Sequence, residues 1–359
     1  MRCDCHIHMA LDGENWREAI ARHRAAPDEA FVRKTLETYA RLGFSYLRDG
    51  GDRWGVGLLA KRLTPEYGIR CVSPGAPLCK AGHYGAFIGE KYADRKEFTA
   101  LVEKQRSAGA DFVKIMISGI MDFDRFGVLS EPGMDPGEIR QVISAAKARG
   151  MSVMAHANGA ETVRAAAEAG VDTVEHGAYL DRDALQACAD NGVIWVPTLS
   201  AIGNLRGKGR FSEPDVERIL ASAMENVALY ASMGGLIAPG TDAGAWAVPQ
   251  GAGGAVLMDG KITYSRRKSL SLRIAPDGSL DIRAPIGMPR REIDRFLEEK
   301  ADWIATHRAQ VLRDRQQGAL HAIGAEQLET LKELAREPIY ESLRRFAPQM
   351  GVNYGRVTI

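Results

Sequence analysis

From residue 2 to residue 246 the chain alternates short apolar runs with amphipathic stretches of helical period. The apolar runs are RCDCHIH, FSYLRDGG, IRCVSPG, DFVKIMISG, SVMAHANG, VDTVEHGAY, GVIWVPTLS and GGLIAPGTDAG. Each is rich in Val, Ile or Met and nearly continuous, as strands buried on both faces of a parallel sheet must be. Helical spacing predicts helices over residues 28–42, 54–63, 95–108 and 137–149, the first with a Gly43 stop. Between the third and fourth runs, LCKAGHYGAFIG reads as a loop. Counting RCDCHIH as the first strand gives about eight strand–helix units, the number that closes a (β/α)8 TIM barrel. An open doubly wound sheet would place a Gly-x-Gly-x-x-Gly turn after its first strand; this chain places His6-x-His8 there.

After Gln250 the pattern changes. The segment ITYSRRKSLSLRIAPDGSLDIRAPIG reads as β-strands about a Pro-Asp-Gly-Ser turn at 276–279, followed by a helix over about 289–316. A hairpin inside a strand–helix series marks an insertion after strand 8. The expected organisation is a discontinuous barrel, residues 1–258 and 318–359, around an inserted α+β module at 259–317. A helix at 325–346 would complete the outer ring.

Composition narrows the class. The chain is 26% charged with a formal net charge of +1, so neither nucleic acid nor an anionic membrane is an expected partner. No apolar run is long enough to span a bilayer or to form a signal-peptide core. Five cysteines, an odd number, in a chain of 359 residues suit reduced thiols and a cytoplasmic location. A homo-oligomer is compatible with this composition. If residues 2–8 are a strand, Asp4, His6 and His8 share one face and Cys3 and Cys5 the other.

Barrel enzymes place their chemistry at the C-terminal ends of the strands. There the chain offers His6 and His8 on strand 1, Lys114 on strand 4, His156 on strand 5, His176 on strand 6 and Asp242 on strand 8. Singly, each has an ordinary reading: a core histidine, a helix cap, a turn aspartate. Lys114 is the hardest to explain so, because a lysine among Val113, Ile115 and Met116 must be paired or neutralised. One metal site accounts for all six, and imidazole with carboxylate suits zinc, with manganese, iron or cobalt as alternatives.

The motifs DCHIH, GADFVKIMISG, MAHANG, VEHG and GTDAG, in this order, resemble those of the amidohydrolase superfamily, and within it the amidase and dipeptidase-like members. The resemblance implies a TIM barrel with two divalent metal ions at its mouth. His6, His8 and Asp242 would hold the more buried ion, and His156 and His176 the more exposed one. Lys114 would be carboxylated by carbon dioxide and bridge both. A metal-bridging hydroxide would attack the amide of a small substrate such as a dipeptide, N-acyl amino acid or cyclic amide. Asp242 would act as general base and then general acid.

Many relatives in that superfamily begin with strands of a β-sandwich before His-x-His; a bare barrel with an insertion is the expectation here. The stretch 266–308 resembles the N-terminal part of a bacterial family of predicted zinc metallopeptidases, but no His-Glu-x-x-His occurs in this chain, so no peptidase activity carries over. Arg266, Arg267 and Lys268 read as a solvated face. Candidate substrate-binding residues are His83, Tyr84, Arg125 and Tyr179, with Trp54 and Trp246 as apolar lining. Competing readings are a lactonase or phosphoesterase on the same ions, a mononuclear deaminase, which Lys114 argues against, and a catalytically silent binding protein.

Overall fold

The computed structural model describes residues 2–251, 260–267, 269–275 and 280–300, with residues 303, 304, 307, 311, 337, 341 and 344 beyond. The chain divides into two compact units, Met1–Asp259 with Pro289–Ala305, and Gly260–Met288 with Thr306–Ile359.

The strands of the first unit are β1 (Arg2–Ile7), β2 (Phe44–Asp49), β3 (Arg70–Val72), β4 (Leu78–Lys80), β5 (Glu90–Tyr92), β6 (Val113–Met116), β7 (Val153–Ala157), β8 (Thr173–His176), β9 (Ile194–Val196) and β10 (Leu236–Ile237). Between them run α1 (Trp16–Arg22), α2 (Glu29–Arg41), α3 (Val56–Leu63), α4 (Arg95–Ser107), α5 (Pro136–Lys147), α6 (Ala160–Glu168), α7 (Arg182–Asp190), α8 (Leu199–Gly203) and α9 (Glu213–Ser232). All the strand pairings among them are parallel, in the orders β1-β2-β3 and β10-β9-β8-β7-β6-β4-β5.

Two seams join these sheets. At one, Ile7 bridges Ala243 in parallel, and Asp242 N–H donates to the His6 carbonyl at 2.8 Å. At the other, Asp111 N–H donates to the Ser73 carbonyl at 2.9 Å, just beyond β3. The architecture is the expected (β/α)8 TIM barrel. The expected loop LCKAGHYGAFIG instead opens with β4, which pairs with β6 and with β5. Three residues are too few to show an alternating pattern in sequence.

The helices form where caps and apolar stripes coincide. Asp28 accepts from Phe31 N–H at the start of α2, and Val32, Leu36 and Tyr39 make its buried stripe. These pack with Ile7 and Leu47, which face outward from the barrel. A larger core joins β6, β7, β8 and β9 to the helices α4–α7. Among the described residues no helix is long and apolar enough to cross a membrane.

In the second unit, β12 (Ser271–Ile274) and β13 (Leu280–Pro285) pair antiparallel as the expected hairpin. β11 (Gly260–Ser265) adds in parallel to β13, so the last strand is central. The turn at 276–279 lies outside the described residues. Of the helix expected over 289–316, α10 (Arg290–Glu299) is described; compactness groups it with the first unit. The helix expected at 325–346 lies almost wholly outside the described residues.

Candidate metal centre

Three donors meet where β1 and β10 end. His6 Nε2 and His8 Nε2 are 3.4 Å apart, and Asp242 Oδ1 lies 3.5 Å from the first and 3.3 Å from the second. Ligand atoms about a tetrahedral zinc at its usual bond lengths stand roughly 3.3 Å apart, so these residues fit such an ion. The His176 ring is 5.0 Å from that of His6 and 4.6 Å from that of His156, centroid to centroid. Lys114 is 1% exposed, and among the described residues its Nζ has no hydrogen-bond partner. An unpaired buried ammonium is costly; burial pulls this amine down to about 8. The six residues singled out in the sequence therefore converge at one end of the barrel.

Each imidazole is aimed by a partner. His6 Nδ1 pairs with Glu175 Oε2 at 2.6 Å, both side chains fully buried. Glu175 also accepts from Arg48 at 3.0 Å and Thr173 at 2.6 Å. Burial alone would raise its carboxyl, but the bond from His6 and the charge of Arg48 outweigh it and bring it to about 2. His176 Nδ1 pairs with Thr198 Oγ1 at 2.8 Å. His156 Nε2 lies 3.2 Å from the Gly119 carbonyl, which leaves Nδ1 for a ligand. Burial lowers His6 and His176 and takes His156 to about 3. Neutral imidazole is the form that binds metal, and such outer partners fix its orientation.

The backbone is shaped to the same end. His176, Thr198 and Asp242 have φ of 67°, 45° and 61°, a left-handed conformation that costs a non-glycine residue about 1–3 kcal/mol. Asp4 accepts from Thr241 N–H at 2.9 Å and from its hydroxyl at 2.6 Å, fixing the residue before Asp242. Gln250 donates to the His8 and Leu11 carbonyls at 2.8 and 2.7 Å. Gly50 leaves room for the His8 ring, since a Cβ there would lie 2.6 Å from His8 Cε1 and the imidazole would have to shift.

Above the cluster opens a cavity of about 410 Å³, lined by His8, Lys114, His156, His176 and Asp242 and by a collar of aromatic and aliphatic side chains. Of the expected substrate residues, Tyr84 lines it and packs 5.1 Å from the His156 ring, and Trp246 lines it too. His83 lies beside Glu131 at 3.7 Å. Arg125 is 71% exposed and pairs with Asp122. Tyr179 packs 5.4 Å from Phe126. These three and Trp54 are not among the lining residues. Glu175, Arg48, Thr198, Asp4 and Gln250 were not foreseen. Glu175 carried a signal: it is a carboxylate inside an apolar run, as Lys114 is an amine inside one.

A parallel barrel with imidazoles, a lysine and an aspartate at the strand ends is the architecture of metal-dependent barrel proteins. The sequence pattern of the Amidohydrolase family matches residues 3–283, and the chain belongs to that family. A second pattern, the YgjP-like metallopeptidase domain, matches residues 268–327. An uncharacterized protein of Mycobacterium tuberculosis is 28% identical over 249 residues, covering 67% of this chain and 62% of that protein. The ochratoxinase of Aspergillus niger is 26% identical over 239 residues, covering 55% of this chain and 47% of that enzyme. The chain thus spans about half to three fifths of the length of these relatives. Among solved structures, a Xaa-Pro dipeptidase with bound methionine superposes with a TM-score of 0.58 at 24% identity, over 71% of this chain and 68% of that one. The A. niger ochratoxinase structure also gives 0.58, at 22% identity, over 71% and 65%.

Proposed function

We propose that the chain is a metal-dependent hydrolase that cleaves an amide C–N bond of a small substrate. His6, His8, Lys114, His156, His176 and Asp242 would be the ligands of two divalent ions, zinc foremost. The observation that carries this reading is the buried, unpartnered Lys114 amine in the same cavity as His8, His156, His176 and Asp242. The neutral amine would add to carbon dioxide: an N–C bond forms as one C–O π bond opens, one proton leaves, and the resulting carbamate carries a single negative charge shared by two oxygens. Divalent cations held here supply Lewis-acid activation of water and of the scissile carbonyl.

The chain's own residues do the rest. Burial would raise the Asp242 carboxyl, but the hydrogen bond from His8 foremost outweighs it and favours the ionised form. Asp242 takes a proton from the attacking water and returns it to the departing nitrogen as the C–N bond breaks. Glu175 and Thr198 hold His6 and His176 in place throughout. Membership of the Amidohydrolase family, and the peptidase and ochratoxinase names among similar proteins, support amide chemistry.

The test is metal content of protein purified without chelators and with bicarbonate, followed by a panel of dipeptides, N-acyl amino acids, lactones and phosphoesters. About two transition-metal ions per chain with turnover confined to amides is the expected result. One ion, or turnover confined to esters, would overturn the reading.

A further inference from the structure

Two runs of ring contacts line the cavity. In one, Trp16, Phe87, Tyr84 and His156 follow one another at centroid separations of 5.3, 5.8 and 5.1 Å. In the other, Phe123, Phe211 and Trp246 are separated by 5.2 and 5.9 Å. The first run ends on a residue of the candidate centre. The second carries a charge: the Arg210 guanidinium lies 5.1 Å from the Phe211 ring and 4.6 Å from the Trp246 ring, and Arg210 lines the cavity. Nearby arginines are paired, Arg206 with Glu217 and Arg218 with Asp215. Arg210 has no carboxylate partner among the described residues. An arginine stacked on rings keeps its planar fork of N–H donors free for a carboxylate.

We infer that Arg210 is the anion receptor of this cavity, and that the substrate class is an N-acyl aromatic amino acid with a free carboxylate. The aromatic group would lie against the rings, where apolar burial and ring packing favour it, and the carboxylate would meet Arg210. Glu14, the carboxylate at the rim, is exposed, and among the described residues its side chain makes no hydrogen bond or ion pair. This inference rests on the hydrolase reading for its chemistry but not for its recognition.

The experiment compares N-acetylphenylalanine, its C-terminal amide and N-acetylalanine on the metal-loaded protein, by calorimetric binding and by acetate release. N-acetylphenylalanine should bind about tenfold tighter than either analogue. Arg210→Gln should abolish the preference over the amide while leaving binding of the amide within twofold, and Arg210→Lys should restore part of it. Equal loss for acid and amide in Arg210→Gln would overturn the receptor. Preferential binding without acetate release would keep the receptor and count against the hydrolase reading. Acetate release with no preference for the acid would do the reverse.

Discussion

Lys114 and Gly50 place the strictest demands on single side chains. On the proposed two-ion reading, replacing Lys114 with Ala should lower metal content from two ions to one or fewer and cut turnover at least a hundredfold, because the proposed bridging donor is gone; elemental analysis and initial rates check this. Full metal content in Lys114→Ala would overturn the carbamate. Gly50→Ala should weaken metal binding about tenfold or more with the fold intact by circular dichroism, since its methyl would enter the space of the His8 ring. Glu175→Gln keeps the shape but removes the charge facing His6 and Arg48. A loss in metal affinity of 10–100-fold is expected, the range for outer partners of ligating histidines. The histidines of the candidate centre were legible as a cluster because a polar side chain ending a buried apolar strand must find a partner, and here several such strands end alike. Glu175 was harder to place, because its partner Arg48 is 127 positions away and only barrel closure brings them together.

Among the elements, α3 shows how a carboxylate can start a helix and yet weaken it with pH. Asp52 accepts from Trp54, Val56 and Gly57 N–H at 2.8–3.0 Å and is 2% exposed. Burial, and then the neighbouring Asp49 charge, push its carboxyl up to about 6 despite those bonds. The folded state therefore holds this proton more tightly than the unfolded state, so the contribution is full below about pH 4 and is lost as pH rises through about 6. The stability difference between wild type and Asp52→Asn should fall by on the order of 3 kcal/mol across that window, as measured by urea denaturation at several pH values. The bounds of α2 and α4 fall within a residue of those expected from spacing, because capping aspartates mark their starts. The short β4 and β5 carried no such mark. The parallel β11–β13 pairing is a non-local contact that local alternation does not encode.

For the whole molecule, we propose that the barrel comprises residues 1–258 and 318–359, with the module at 259–317 inserted after strand 8. Removing 259–317 should leave metal stoichiometry and the circular dichroism of the barrel unchanged. Loss of metal would instead make α10 part of the barrel, in line with its grouping by compactness. The alternation of strands and helices was legible over the barrel because each unit repeats the same burial problem. The collar was not, because Arg210 and Phe211 sit on a loop without period, and only the fold brings them beside Trp246.

Of the chain's five tryptophans, Trp16 and Trp246 line the cavity, whereas Trp195 is 1% exposed and packs on Tyr230. A molecule entering the collar displaces water from two indoles and leaves that buried one untouched. Occupancy should therefore register in the intrinsic fluorescence as a blue shift or quench over the background of Trp54, Trp195 and Trp303. Trp246→Phe would remove the part of the signal next to Arg210, so a titration could report which side of the collar a ligand reaches first without any label or turnover.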